Sequence, residues 1–336
     1  MKRNDILDKL GYCVPERRKK RVIILSDLKN EADDQFAVMH HLLTPGSDVR
    51  GIVACHFEWL ARFVQQLLDA GVDGAMKQRA SDGIGSHLRP RYSSMRASYE
   101  EGIKLLKLAN MEDVPLFFGS DREITDRKHL PDSPGADFII EEAMRDDNRP
   151  LYVCVLGCAT DLAIALLKKP EIGERLTAVW IGGGAYPVGG REFNLIQDVE
   201  AARILFENPV TIWQIPENVY KTMEVSLAEL VSRVKPCGEA GAYLCQQLLE
   251  LNEILCSRPG DFPAGETWAL GDNPTVSVLM QSPQRINWHM EKAPALGEDG
   301  TYLPNENGKP IRVYDSVDVR MTMEDLFTKL KLCYGG

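Results

Sequence analysis

Short runs of consecutive apolar, β-branched residues alternate along the chain with stretches whose apolar positions recur every three to four residues. Arg21 to Leu25, Val49 to Cys55 and Leu151 to Leu156 read as buried strands, while Asp34 to Leu43 and Thr160 to Lys168 carry helical spacing. Thr177 to Ile181 is a further strand that runs into Gly182, Gly183 and Gly184, and Val210 to Ile215 is another, just after the helix-like Val199 to Phe206. This alternation predicts an α/β fold, an open and mostly parallel sheet with flanking helices. In such sheets the ligand crevice lies at the carboxyl ends of the strands, so the polar and glycine-rich loops there are where an active site is expected.

The pattern weakens twice. From Phe57 to Ser94 a helix over Glu58 to Ala70 gives way to SDGIGSHLRPRYSS, which predicts an insertion at 57–94, either a cover for the site or a surface loop. Lys292 to Pro310 carries Pro, Gly and Asn and predicts a β-hairpin or extended loop before a closing helix over Met323 to Lys331. No repeat, low-complexity tract or interdomain linker is evident, so a single domain over 1–336 is expected.

Composition narrows the function. The 336 residues are 44% apolar, ample for a core. Forty-nine acidic against 39 basic residues give a net charge of -10, which argues against a nucleic-acid partner. The basic run Arg17 to Arg21 reads as a solvated lead-in to the first strand. Eight cysteines include no CxxC pair, so free and mostly buried thiols in a reducing compartment are expected. MKRNDILDKLGYC lacks the apolar stretch of a secretory signal, and no later segment reaches about 18 uninterrupted apolar residues. A cytoplasmic protein without a membrane partner is expected.

The most informative stretch is Ser26-Asp27-Leu28-Lys29-Asn30-Glu31-Ala32-Asp33-Asp34-Gln35, between the first strand and the helix it feeds. Crowded carboxylates resist joint ionisation unless a cation or strong donors compensate, and oxygen-only ligands suit calcium or magnesium. The alternative is that Asp33 and Asp34 only complement the positive end of the helix while Glu31 faces solvent.

VIILSDLKNEADDQFAV resembles the amino-terminal signature of the inosine-uridine-type nucleoside hydrolase family. LGCATDLAIALLKKPEI is similar to that family's Gly-Thr-Asn-Leu-Ala segment, WIGGGAYPVGGREFNLIQDVEAA to its GGG...EFN...D-EAA segment, and LGDNPTVSVLM to its late aspartate motif. Four motifs in the family's order cover Arg21 to Met280. The resemblance implies a nucleoside hydrolase-like fold and calcium-dependent hydrolysis of an N-glycosidic bond in a ribonucleoside or related riboside. It also implies a homodimer or homotetramer. By the same resemblance Asp34, Asp272 and the main-chain carbonyl of Leu156 are metal ligands, Asp33 touches a sugar hydroxyl, and Glu192 and Asn194 hydrogen-bond the ribose. Phe193 would lie buried between those two in strand-like alternation.

The chain departs from the family at two places. Where the family carries a further aspartate four residues before the pair, as metal ligand and general base, this chain has Lys29. Asp27 takes that role if about two residues bulge out between it and Asp33; Glu31 is the competitor, and Lys29 could instead neutralise the cluster. Where the family has a histidine before the late aspartate, this chain has Gly271. Trp268, His56, Glu266 and Tyr99 are candidates for the leaving-group side, with Trp268 expected to bind substrate and His56, at a strand end, expected as the acid if it is not a structural histidine. Loss of the usual acid predicts altered substrate choice. A carbohydrate-processing hydrolase, or a ribose- or nucleoside-binding protein with impaired chemistry, are the alternative readings.

Overall fold

The computed structural model describes residues 2–59, 62, 93–256, 263–282, 284 and 286–335. Strand β1 (Lys20–Ser26) organises the rest. It is buried from Arg21 onward, and the pleat sends Val22 and Ile24 into one apolar layer and Ile23 and Leu25 into the other. Burial on both faces is what a continuous β-branched run specifies, and each such side chain contributes about 1.5–3 kcal/mol.

The remaining strands are β2 (Ser47–Ala54), β3 (Leu116–Phe118), β4 (Leu151–Val155), β5 (Leu176–Ile181), β6 (Thr211–Ile215), β7 (Glu224–Ser226), β8 (Thr267–Ala269), β9 (Asn287–Lys292), β10 (Ala295–Leu296), β11 (Tyr302–Leu303) and β12 (Pro310–Ser316). Eight of them form one sheet in the order β3-β2-β1-β4-β5-β6-β12-β9. Neighbours run parallel except β9, which is antiparallel to β12. The expected α/β architecture is therefore present, with helices on both faces. Those used below are α1 (Asp34–Leu42), α2 (Ser94–Ala109), α3 (Thr160–Lys168), α4 (Phe193–Gln197), α5 (Val199–Glu207), α6 (Glu217–Tyr220), α7 (Pro274–Met280) and α8 (Val319–Tyr334). No helix among the described residues is long and apolar enough to cross a membrane.

The region 292–310 does contain a hairpin, β10 with β11. Its flanks were not expected as strands: β12 joins the main sheet beside β6, and β9 closes that edge with five of its six residues exposed. Of the helix expected over Glu58 to Ala70, Glu58, Trp59 and Arg62 are described and helical; the rest of it, like most of the insertion at 57–94, lies outside the described residues.

From β1 the chain steps outward to β2 and β3, then returns to the other side of β1 as β4. That reversal opens a crevice at the carboxyl ends of β1 and β4. Leu25 pairs with Val155, so Asp27 and the Leu156-Gly157 pair leave the sheet side by side.

Candidate active site

Beyond Ser26, Leu28 and Ala32 are fully buried in the apolar layer that contains Val22 and Ile24, and Asn30 N donates to Asp27 O at 2.7 Å. With its apolar members anchored below, the loop turns Asp27, Asn30, Glu31, Asp33 and Asp34 into one cavity of about 630 Å³. Helix α1 starts where Asp33 caps it, accepting from Asp34 N at 3.1 Å. Glycine is required at position 157, because a Cβ there would lie 2.6 Å from Asp27 Oδ1.

Asp272 reaches the same cavity from the turn before α7. Two histidines of α1 hold that turn: His41 Nε2 lies 3.0 Å from Thr275 Oγ1, and His40 Nδ1 lies 3.1 Å from Asn273 Nδ2. Thr275 in turn donates to Asp272 O at 2.8 Å. Carboxylate oxygens of Asp33, Asp34 and Asp272 consequently lie within 4.8 Å of one another.

Such crowding in a dry site disfavours ionisation. Burial, then the charge of Asp33, pushes Asp34 up to about 7; burial and Asp34 hold Asp27 well above the usual carboxylate range. Burial with Glu31 does the same to Asp33, and burial with Asp33 and Asp34 to Asp272. Asp34 also accepts from Ser26 Oγ, while Asp27 Oδ2 is buried without a hydrogen-bond partner among the described residues. An orphaned carboxylate oxygen beside three converging carboxylates is a donor set that fits a hard divalent cation.

A second group of lining residues centres on Glu192 and Asn194. Glu192 caps α4 and is held by Gly183 N at 2.7 Å, Leu195 N at 2.9 Å, Asn194 N at 3.1 Å and Tyr220 Oη at 2.8 Å. Burial still raises its pKa against those donors. Asn194 Nδ2 donates to Leu156 O at 2.6 Å and Ile181 O at 3.0 Å, joining the ends of β4 and β5. Leu156, Glu192, Asn194 and the buried Trp268 on β8 all line the cavity.

Five individual residues stand differently from their sequence readings. His56 is fully buried, 2.9 Å from Thr160 Oγ1, and is not among the lining residues. The chain beyond β2 packs it under α3 rather than into the crevice. Lys29 does not neutralise the carboxylates, since its Nζ turns to Glu101 Oε2 on α2 at 3.3 Å. Phe193 is half-buried and begins a helix, because the capping carboxylate of Glu192 nucleates α4 where strand-like alternation was expected. Tyr99 stacks on Phe118 with ring centroids 3.9 Å apart and Glu266 is exposed; neither lines the cavity.

Tyr220 was missed. It ends α6, directly after β6, and its place behind another strand of the same sheet edge was the available signal. Its ring fills the space beside Gly271: a Cβ there would meet Tyr220 Cδ2 at 3.0 Å.

Known proteins share this fold. The purine-preferring ribonucleoside hydrolase from Gardnerella vaginalis superposes with a TM-score of 0.69 at 18% identity, covering 94% of this chain and 99% of that one. A plant nucleoside hydrolase, the PpNRh1 enzyme, gives a TM-score of 0.66 at 18% identity over 93% and 98% of the two chains. At such identity these structures show the fold. The pyrimidine-specific ribonucleoside hydrolase RihA of Salmonella paratyphi A is 26% identical over 124 residues, 36% of this chain and 40% of that relative. Its counterpart in Enterobacter sp. is 26% identical over 173 residues, 44% of this chain and 55% of the relative, so the chain spans about half the length of the curated relatives it matches. Residues 22–324 match the inosine-uridine preferring nucleoside hydrolase family as a whole, and the chain belongs to that family.

Proposed function

We propose that the protein hydrolyses the N-glycosidic bond of a ribonucleoside or related small riboside, with calcium as its cation. The observation that carries this reading is the meeting of Asp27, Asp33, Asp34 and Asp272 with Glu192 and Asn194 in one cavity at the strand carboxyl ends. In this reading Asp27, Asp34, Asp272 and the Leu156 carbonyl hold the cation. When bound, it supplies a Lewis acid that holds vicinal sugar hydroxyls and acidifies a water.

Asp33, Glu192 and Asn194 orient the ribose, and Trp268 bounds the space for the aglycone. Asp27 receives a proton from the attacking water at Oδ2, the oxygen that no described residue engages. As the glycosidic bond opens, positive charge develops at the anomeric carbon, and the buried carboxylates around it stabilise that charge without reorganising. Fixing sugar and base together removes part of the entropic barrier.

The leaving group departs without the family's histidine, whose position is Gly271, and without His56, which is sealed from the cavity. Aglycones that need little protonation are favoured over common purines. Action as one domain, assembly as a homodimer or homotetramer, and a cytoplasmic location belong to the same reading and rest on the family match. The test is to incubate the protein with a panel of purine and pyrimidine nucleosides and p-nitrophenyl riboside, in calcium or chelator, reading free base and reducing sugar. Release in calcium alone supports the reading; no release from any member overturns it.

A further inference from the structure

The cavity has an acidic end and a wall with a different character. Eight of its lining residues are acids, against two cations, Arg191 and Lys221. Lys221 is engaged by Glu217, one helical turn away on α6. Arg191 makes no hydrogen bond or ion pair among the described residues; its guanidinium lies over the ring of Trp59, 5.6 Å from the centroid. Asp299 feels the charge of Arg191, yet its own carboxylate is held by Thr301.

The backbone that presents Arg191 is fixed on both sides. Gly190 N donates to Gly300 O at 3.0 Å and Glu192 N to Gly190 O at 2.8 Å, while the next side chain, Glu192, is locked by four donors. An exposed planar cation is thus held at the rim beside a residue assigned to the sugar. A guanidinium fork matches phosphate oxygens in pairs, and stacking on an aromatic face leaves its edge free for that contact.

A ribose whose vicinal C2 and C3 hydroxyls face the Asp33-Asp34-Asp272 end carries its C5 arm away from those carboxylates, where an anion on that arm escapes their repulsion. We propose that the site is built for a riboside bearing a phosphate on C5, with Arg191 as the phosphate anchor. The proposal rests on the hydrolase reading and narrows its substrate class from neutral ribosides to phosphorylated ones.

The test compares p-nitrophenyl riboside with its 5-phosphate in the wild type, Arg191→Ala and Arg191→Lys. A phosphate preference of about 10- to 100-fold in kcat/KM, expressed mainly through KM, is expected of the wild type. It should collapse in Arg191→Ala and partly return in Arg191→Lys. No preference in the wild type, or an equal preference in Arg191→Ala, overturns the proposal. If neither compound is turned over, the hydrolase reading fails, and calorimetric binding of ribose and ribose 5-phosphate decides the anion site separately. Ribose 5-phosphate binding at least tenfold tighter than ribose, lost in Arg191→Ala, sustains the site; equal binding of the two sugars, or a wild-type difference kept by Arg191→Ala, removes it.

Discussion

Tyr220 packs against Gly271 so closely that a Cβ on the glycine would lie 3.0 Å from the ring, and the same tyrosine donates its hydroxyl to Glu192 Oε1 at 2.8 Å. Tyr220 therefore takes up the space that a side chain at position 271 would need. Restoring the family residue with Gly271→His drives an imidazole into Tyr220 and Asp33, and overpacking of this kind shifts the neighbours. We expect kcat/KM for inosine and for p-nitrophenyl riboside to fall at least tenfold in that variant; a gain with inosine contradicts the account.

Tyr220→Phe removes a hydrogen bond to a buried carboxylate, worth about 1.5–3 kcal/mol. The expected loss in kcat/KM is roughly 10- to 100-fold with circular dichroism unchanged. An unaltered rate shows that Glu192 does not depend on the tyrosine.

Lys29 is kept from the carboxylates by Glu101, which also accepts from Tyr243 Oη and, at 3.3 Å, from Gln35 Nε2. Glu101→Gln leaves the ammonium without its counter-charge and within reach of the acidic loop. Calcium affinity by calorimetry should fall about 3- to 10-fold, and adding Lys29→Ala should restore it. Equal affinities in wild type and Glu101→Gln sink this explanation.

Much of the scaffold was legible because burial on both faces writes itself as uninterrupted apolar runs: β1, β2, β4, β5 and β6 fall where Val22 to Leu25 and its counterparts predict. β9 was not, because NWHMEK lies at an exposed edge, carries no apolar run, and alternates only through Trp288 and Met290. Asp33 and Asp34 were legible because they open a helix at the carboxyl end of a strand, whereas Asp272, next to β8 outside the main sheet, was legible through the family resemblance of LGDNPTVSVLM. His56 misled for the same reason: a strand end places a residue near the edge but does not say whether its side chain faces the crevice or α3. Lys29 was undecided since its partner, Glu101, lies 72 positions later on a helix the pattern did not single out.

Asp27→Asn retains shape and a coordinating oxygen but removes the base. Turnover of p-nitrophenyl riboside should drop by about 10²- to 10⁴-fold while calcium affinity changes less than tenfold. Normal turnover excludes Asp27 and leaves Glu31, which lines the cavity and is raised by burial to about 7, as the competing base.

Acid should loosen the joint between α1 and α7. Burial lowers His40 to about 4 and, with the charge of His40, lowers His41 to about 3. The unfolded chain takes up these protons near pH 6.5 while the folded protein resists, so their neutral forms favour folding fully above pH 6.5 and that contribution is lost as pH falls toward 4. Urea denaturation at pH 6.5, 5.5 and 4.5 should show wild type losing roughly 1 kcal/mol per pH unit more than His41→Gln. Parallel losses in the two proteins contradict the assignment.

The most direct measurement is turnover of p-nitrophenyl riboside by wild type, Asp34→Ala and Asp272→Ala across a calcium titration, with calcium binding followed calorimetrically on the same samples. The account requires saturable calcium activation in the wild type, with binding and turnover lost together in both variants. Calcium-independent turnover, or turnover that survives either substitution, contradicts a cation held between Asp34 and Asp272 as the centre of the chemistry.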